Sequence, residues 1–153
     1  HSGISPDVVT MAKGMGNGMP IGAVWARREI AGVFRPGDHG STFSGTPIAT
    51  AAARATIIEM ERIDAPRLAR ERGGYLRSRL EAVPDVIAVR GSGLLLAAEL
   101  RDGLDAKQVC SMLLESGLVV NPVTAHALRL APPLTVSEGE IDEAISIMMS
   151  VLT

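Results

Sequence analysis

The chain has 153 residues, a net charge of −2 at pH 7, and 46% hydrophobic and 21% charged residues, the balance of a globular protein long enough to bury a core. With 3% aromatic residues and no basic excess it offers neither the electrostatic field nor the stacking rings of a nucleic-acid binder. Its single cysteine, Cys110, can form no internal disulfide, which points to a reducing, cytoplasmic setting, and no apolar run approaches the roughly 18 residues of a membrane span.

The opening HSGISPD has neither an initiating methionine nor a signal peptide and reads as part of a longer chain. Val8 to Met11 then predicts a short β-branched strand. Met11, Met15 and Met19 recur every four residues as on a helix, but Gly14, Gly16, Gly18 and Pro20 oppose that, since each glycine weakens a helix by about 1 kcal/mol and an interior proline by about 3. The expected arrangement is strand, loop and second strand from Ile21 to Ala26, with Lys13 at the first strand's end. Lys13 is one of two lysines against thirteen arginines. A lysine so placed can point into a cleft, where desolvation favours the neutral amine that Schiff-base chemistry requires, or can simply end the strand with its charge in water.

Residues 32–45, GVFRPGDHGSTFSG, form a long Gly-, Pro- and Ser-rich loop of the kind that carries function. Thr46-Pro47 starts a helix whose run of alanines, followed by Ile57, Ile58, Met60 and Ile63, predicts close packing on two sides and extensive burial. Asp64-Ala65-Pro66 ends it and starts another helix to about Val83, with Leu68, Tyr75, Leu76 and Leu80 on one face. Arginines 62, 67, 70, 72, 77 and 79 run alongside glutamates 59, 61, 71 and 81, the pattern of a solvated helix face and not of a phosphate-binding patch.

Val86 to Arg90 and Leu94 to Leu100 read as an antiparallel pair around a Gly91-Ser92-Gly93 turn. Asp105 caps a helix that Gly117 ends. Leu118 to Val120 and Ala127 to Leu130 are expected as short strands around a turn containing Asn121-Pro122. Ser137 and Glu140 have capping-box spacing before a last amphipathic helix, Ile141 to Leu152. From residue 65 onward the pattern is a small α+β unit with helices on one face of a mostly antiparallel sheet.

The glycines around Met15 and Asn17 fail as a dinucleotide loop, because a proline and a strand follow where that fingerprint needs a helix. His39 and His126 are isolated, and no residue spacing suggests a metal site. Ser41 lacks a nucleophile-elbow setting. Thr42, among flexible neighbours, is suited to donate to a phosphate or simply to close a turn. Arg129, flanked by leucines in LRLAPPL, reads equally as a fork for a carboxylate or as the solvent-facing position of an alternating strand.

Four stretches, residues 6–23 (PDVVTMAKGMGNGMPIGA), 36–53 (PGDHGSTFSGTPIATAAA), 89–100 (VRGSGLLLAAEL) and 117–144, together resemble the fold-type I, class III aminotransferases that use pyridoxal phosphate. The resemblance implies an α/β chain: residues 1–64 as the C-terminal part of the large cofactor-binding domain, and 65–153 as a small α+β C-terminal domain. It implies that Lys13 is the lysine bonded covalently to the cofactor, and that Thr42 donates to the cofactor phosphate of a neighbouring subunit in a homodimer. Ser41 would contact substrate and Arg129 would hold a carboxylate of glutamate or 2-oxoglutarate. The implied reaction moves the terminal amino group of N-acetylornithine, or of a related ω-amine such as ornithine or succinylornithine, to 2-oxoglutarate, within arginine biosynthesis. The family's pyridinium-pairing acid, stacking aromatic, phosphate loop and second substrate arginine all lie upstream of the lysine. The 153-residue stretch alone is therefore expected to be inactive, and a non-catalytic remnant or subunit-contact module is the alternative.

Overall fold

The computed structural model describes residues 3–152. The chain divides into two units, His1–Ile63 and Asp64–Thr153.

In the first unit β1 (Val8–Ala12) pairs antiparallel with β2 (Gly22–Ala26), Val8 opposite Ala26 and Ala12 opposite Gly22. The glycines that forbid a long helix between them permit one 3-10 turn, Lys13–Gly16. Asn17 leaves that turn in the left-handed region and donates its N–H to Gly14 O at 3.2 Å. Gly16 is buried against Ile21, whose Cγ2 would lie 2.7 Å from a Cβ added there, so a side chain at this position would force Ile21 to shift. A four-residue helix, α1 (Arg28–Ala31), and α2 (Pro47–Arg62) follow. The expected burial of α2 is not met: Ala49 and Ala53 form a buried stripe, whereas Ile48, Ile57, Ile58 and Met60 are exposed. Composition reports which side chains favour burial, not whether a second surface is present to cover them.

The second unit holds a four-stranded antiparallel sheet in the order β3-β4-β6-β5, built from β3 (Val86–Ser92), β4 (Leu95–Leu100), β5 (Asn121–Thr124) and β6 (Ala127–Leu130). Alternation puts Leu96, Ala98 and Leu100 of β4, with Leu128 and Leu130 of β6, into one core with three helices. These are α3 (Ala65–Glu81), α4 (Ala106–Glu115) and α5 (Glu138–Leu152), which contribute Leu76 and Leu80, Val109 and Leu113, and Ile141, Ile145 and Met148. Observed caps match the sequence signals. Asp105 accepts from the N–H groups of Lys107 and Gln108 at 2.9 Å, and Ser137 and Glu140 cap each other's N–H groups at 3.2 and 2.7 Å. That backbone hydrogen bond from Ser137 holds the Glu140 carboxyl below its usual range. Along α3, Arg67 pairs with Glu71 at 2.8 Å and Arg72 with Glu138 at 2.6 Å, while Tyr75 donates to Asp142. The hydrogen bond to Asp142 raises the Tyr75 phenol.

Two strand expectations are corrected. Gly91 and Ser92 belong to β3, and the reversal occurs after them at Gly93-Leu94. Leu118 to Val120 is not a strand, because the Leu118 N–H closes the end of α4 on Leu113 O at 2.8 Å beyond left-handed Gly117. Pairing begins instead at Asn121, and Pro122 is tolerated because β5 lies at the sheet edge.

Candidate active-site residues

Lys13 follows the last residue of β1 and takes a left-handed backbone conformation, φ +54°. For a residue with a Cβ this costs on the order of 1 kcal/mol, and such positions cluster at functional sites. The side chain is exposed, the solvated one of the two alternatives the sequence leaves open, and its amine has neither hydrogen-bond nor ion-pair partner among the described residues. An amine in that state can meet an incoming carbonyl without first breaking a contact.

Ser41 and Thr42 lie in the turn before α2, and both are exposed. Ser41, with Ser44, Gly45 and Thr46, borders a hollow of about 300 Å3 whose other wall is Pro20, Ile21 and Gly22. Neither Lys13 nor Thr42 lines it. Thr46, the residue before α2, makes no side-chain cap bond, so this end of a 16-residue helix presents free N–H groups. Free N–H groups of a helix start, flanked by hydroxyls, suit an anion such as phosphate.

Arg129, in the second unit, is the exposed member of β6. Its guanidinium donates to Asn121 Oδ1 at 3.3 Å. No carboxylate of the described residues stands within ion-pair distance of it. It lines a hollow of about 400 Å3 with Arg90, Ser92, Leu95, Ala97 and Val123. The sequence places Asn121 in a turn and gives Arg90 no part. The signal that finds them is register: Arg90, Ala97, Arg129 and Asn121 lie side by side across all four strands.

His39 packs on Phe34 with ring centroids 5.2 Å apart, and the His126 ring nitrogen Nδ1 lies 3.1 Å from Leu104 O. Among the described residues no group of three His, Cys, Asp or Glu side chains could hold a metal ion, and no helix is long and apolar enough to cross a membrane.

The family model Aminotransferase class-III matches residues 1–152. The chain belongs to that family. It is 43% identical, over 100% of its length, to an acetylornithine aminotransferase of Caldanaerobacter subterraneus subsp. tengcongensis, of which it covers 39%. It is 43% identical to an acetylornithine aminotransferase of Bacillus subtilis, with 95% of the chain and 38% of that relative aligned. The solved acetylornithine aminotransferase of Elizabethkingia anophelis superposes with a TM-score of 0.89 at 33% identity, covering 99% of the chain and 40% of the solved chain. An ornithine aminotransferase from Plasmodium yoelii superposes with a TM-score of 0.85 at 31% identity, over 98% and 41%. The chain thus spans about two fifths of the length of these class-III relatives.

Proposed function

We propose that this chain is the C-terminal part of a cytoplasmic, homodimeric acetylornithine aminotransferase of arginine biosynthesis. That enzyme transfers the terminal amino group of N-acetylornithine to 2-oxoglutarate with pyridoxal phosphate as cofactor. The observation that carries the reading is likeness over the whole of this chain, and 39% of the relative, to an acetylornithine aminotransferase at 43% identity, with an unengaged lysine at the end of β1. In this reading residues 1–64 end the large cofactor-binding domain, and 65–153 are the small domain.

The residues present suit part of the cofactor's needs: a free amine at Lys13, hydroxyls at Ser41 and Thr42, and an uncapped helix start at α2. When bound, pyridoxal phosphate supplies the electron sink that lets a carbon–hydrogen bond beside the amine lose its proton. Lys13 Nζ would hold the cofactor and would move that proton as a general base. Thr42 Oγ1 donates to a phosphate across the subunit boundary, Ser41 contacts the donor, and the Arg129 fork binds a carboxylate of the dicarboxylate partner. The acid, aromatic and phosphate loop that complete the site belong to the remaining length of the enzyme, so the 153 residues alone are expected to be inactive.

Borohydride treatment of the complete enzyme carrying cofactor should fix the cofactor covalently on Lys13, read by peptide mass mapping. Label on Lys107, the other lysine of this sequence, or no label on either, defeats the assignment. Similarity to ornithine aminotransferases favours ornithine as the second candidate donor, distinguished by comparing kcat/KM for the two amines.

A further inference from the structure

Glu99 stands on β4 opposite Ala88 of β3 on one side and Ala127 of β6 on the other. Arg90 and Arg129 each lie two residues further along those strands, and both are opposite Ala97. Residues opposite one another share a sheet face, and diagonal neighbours lie about 7–8 Å apart, within reach of long side chains. Glu99 therefore has two arginines at the same offset, one on each flank. It is engaged by Arg90, whose Nε lies 2.7 Å from Glu99 Oε1. Arg129 is left with the neutral oxygen of Asn121. Both arginines line the hollow of about 400 Å3, so the two alternatives for Glu99 open on the same space. Arg129 also lines a second hollow, of about 480 Å3, and Glu140, the carboxylate bordering it, is occupied as well, by the N–H and hydroxyl of Ser137 at 2.7 Å.

We propose that Arg90 is a positioning residue that holds Glu99 away from Arg129, keeping the Arg129 guanidinium open for a ligand carboxylate. The inference rests on the reading of Arg129 as a carboxylate fork and adds the residue that keeps that fork unoccupied. Arg90 does not touch the ligand in this scheme. Its loss allows Glu99 to swing to Arg129 and compete with the incoming anion. An exposed arginine–carboxylate pair is weak enough to be displaced yet strong enough to shift an apparent affinity several-fold.

The test uses the complete enzyme and two readouts: calorimetric binding of glutarate, an unreactive five-carbon dicarboxylate, and KM for 2-oxoglutarate against KM for the amine donor. R129Q comes first; glutarate binding unchanged by it removes the carboxylate reading itself, and the proposal with it. With R129Q weakened, R90Q should weaken glutarate about three- to fivefold and raise KM for 2-oxoglutarate alike, leaving kcat nearly constant. The double variant R90Q/E99Q should recover the original affinity, and R90K should retain it, because lysine can still pair with Glu99. Unaltered glutarate binding in R90Q overturns the proposal. So does a loss that E99Q fails to rescue, which would mean that Arg90 binds the ligand directly or serves only to brace the strand.

Discussion

The backbone of Lys13 is held at φ +54°, where glycine is at ease and a residue with a Cβ is strained. No hydrogen bond or ion pair of its side chain with the described residues stabilises that conformation, so the cost is carried by the surrounding turn, through the Asn17 to Gly14 hydrogen bond and the packing of Gly16 on Ile21. Strain kept at a residue whose amine is unengaged is the expected mark of a position selected for chemistry over stability. Lys13→Gly should therefore be about 1 kcal/mol more stable than Lys13→Ala in urea unfolding, while under the proposed reading both should lack transaminase activity in the complete enzyme. Equal stabilities would mean that the turn relaxes around any side chain. The setting of Lys13, a strand end followed by a glycine-framed turn, was legible. Its exposure was not, since desolvation depends on what else lies against the lysine, and local sequence does not encode that.

Within the elements, two adjacent glycines of α3 have opposite roles. A Cβ on Gly73 would lie 2.2 Å from Gly93 O and 2.3 Å from Gly93 C, main-chain atoms of the β3–β4 reversal that cannot yield as a side-chain tip can. Gly74, exposed one residue on, has open space around it. Gly73→Ala should destabilise the chain by about 2 kcal/mol or more, overpacking outweighing the helix propensity gained. Gly74→Ala should stabilise it by roughly 0.5–1 kcal/mol. Thermal unfolding of both variants checks the pair, and a neutral Gly73→Ala would show that α3 and the hairpin can move apart. The hairpin is held from the same helix by Arg77, which donates to the carbonyls of Val89 and Gly91, so the strand that carries Arg90 is fixed from behind. Where a signal was local it was legible: Asp105 and the Ser137–Glu140 box cap helices as their spacing required. Where pairing competed with a helix end it was not, since the Leu118 N–H went to Leu113 O and the strand moved on to Asn121. The row Arg90, Ala97, Arg129, Asn121 was hidden for a related reason: register joins residues some thirty positions apart, and no single window of sequence contains them.

At the scale of the whole chain the two units differ in how they are held together. In Asp64–Thr153 leucines, isoleucines and valines from the sheet and all three helices form one buried cluster. In His1–Ile63, among the described residues, Ala49 and Ala53 are the buried hydrophobic side chains, while Phe43, Val24 and Ile48 stand 81%, 70% and 68% exposed. Two alanines bury too little apolar surface to offset the conformational entropy of ordering some sixty residues, at about 1–2 kcal/mol each for the backbone alone. An isolated two-stranded hairpin is itself marginal in water. Under the proposed reading, the cover for these side chains comes from the rest of the large domain. Residues 64–153 produced alone should therefore unfold cooperatively in urea, with the amides of β4 and β6 the slowest to exchange with deuterium. Residues 1–63 produced alone should show no cooperative transition and should bind the dye ANS through exposed apolar surface. A cooperative transition in the 1–63 piece would show that it carries a core of its own, and would detach the exposed residues of α2 and β2 from any need for further chain.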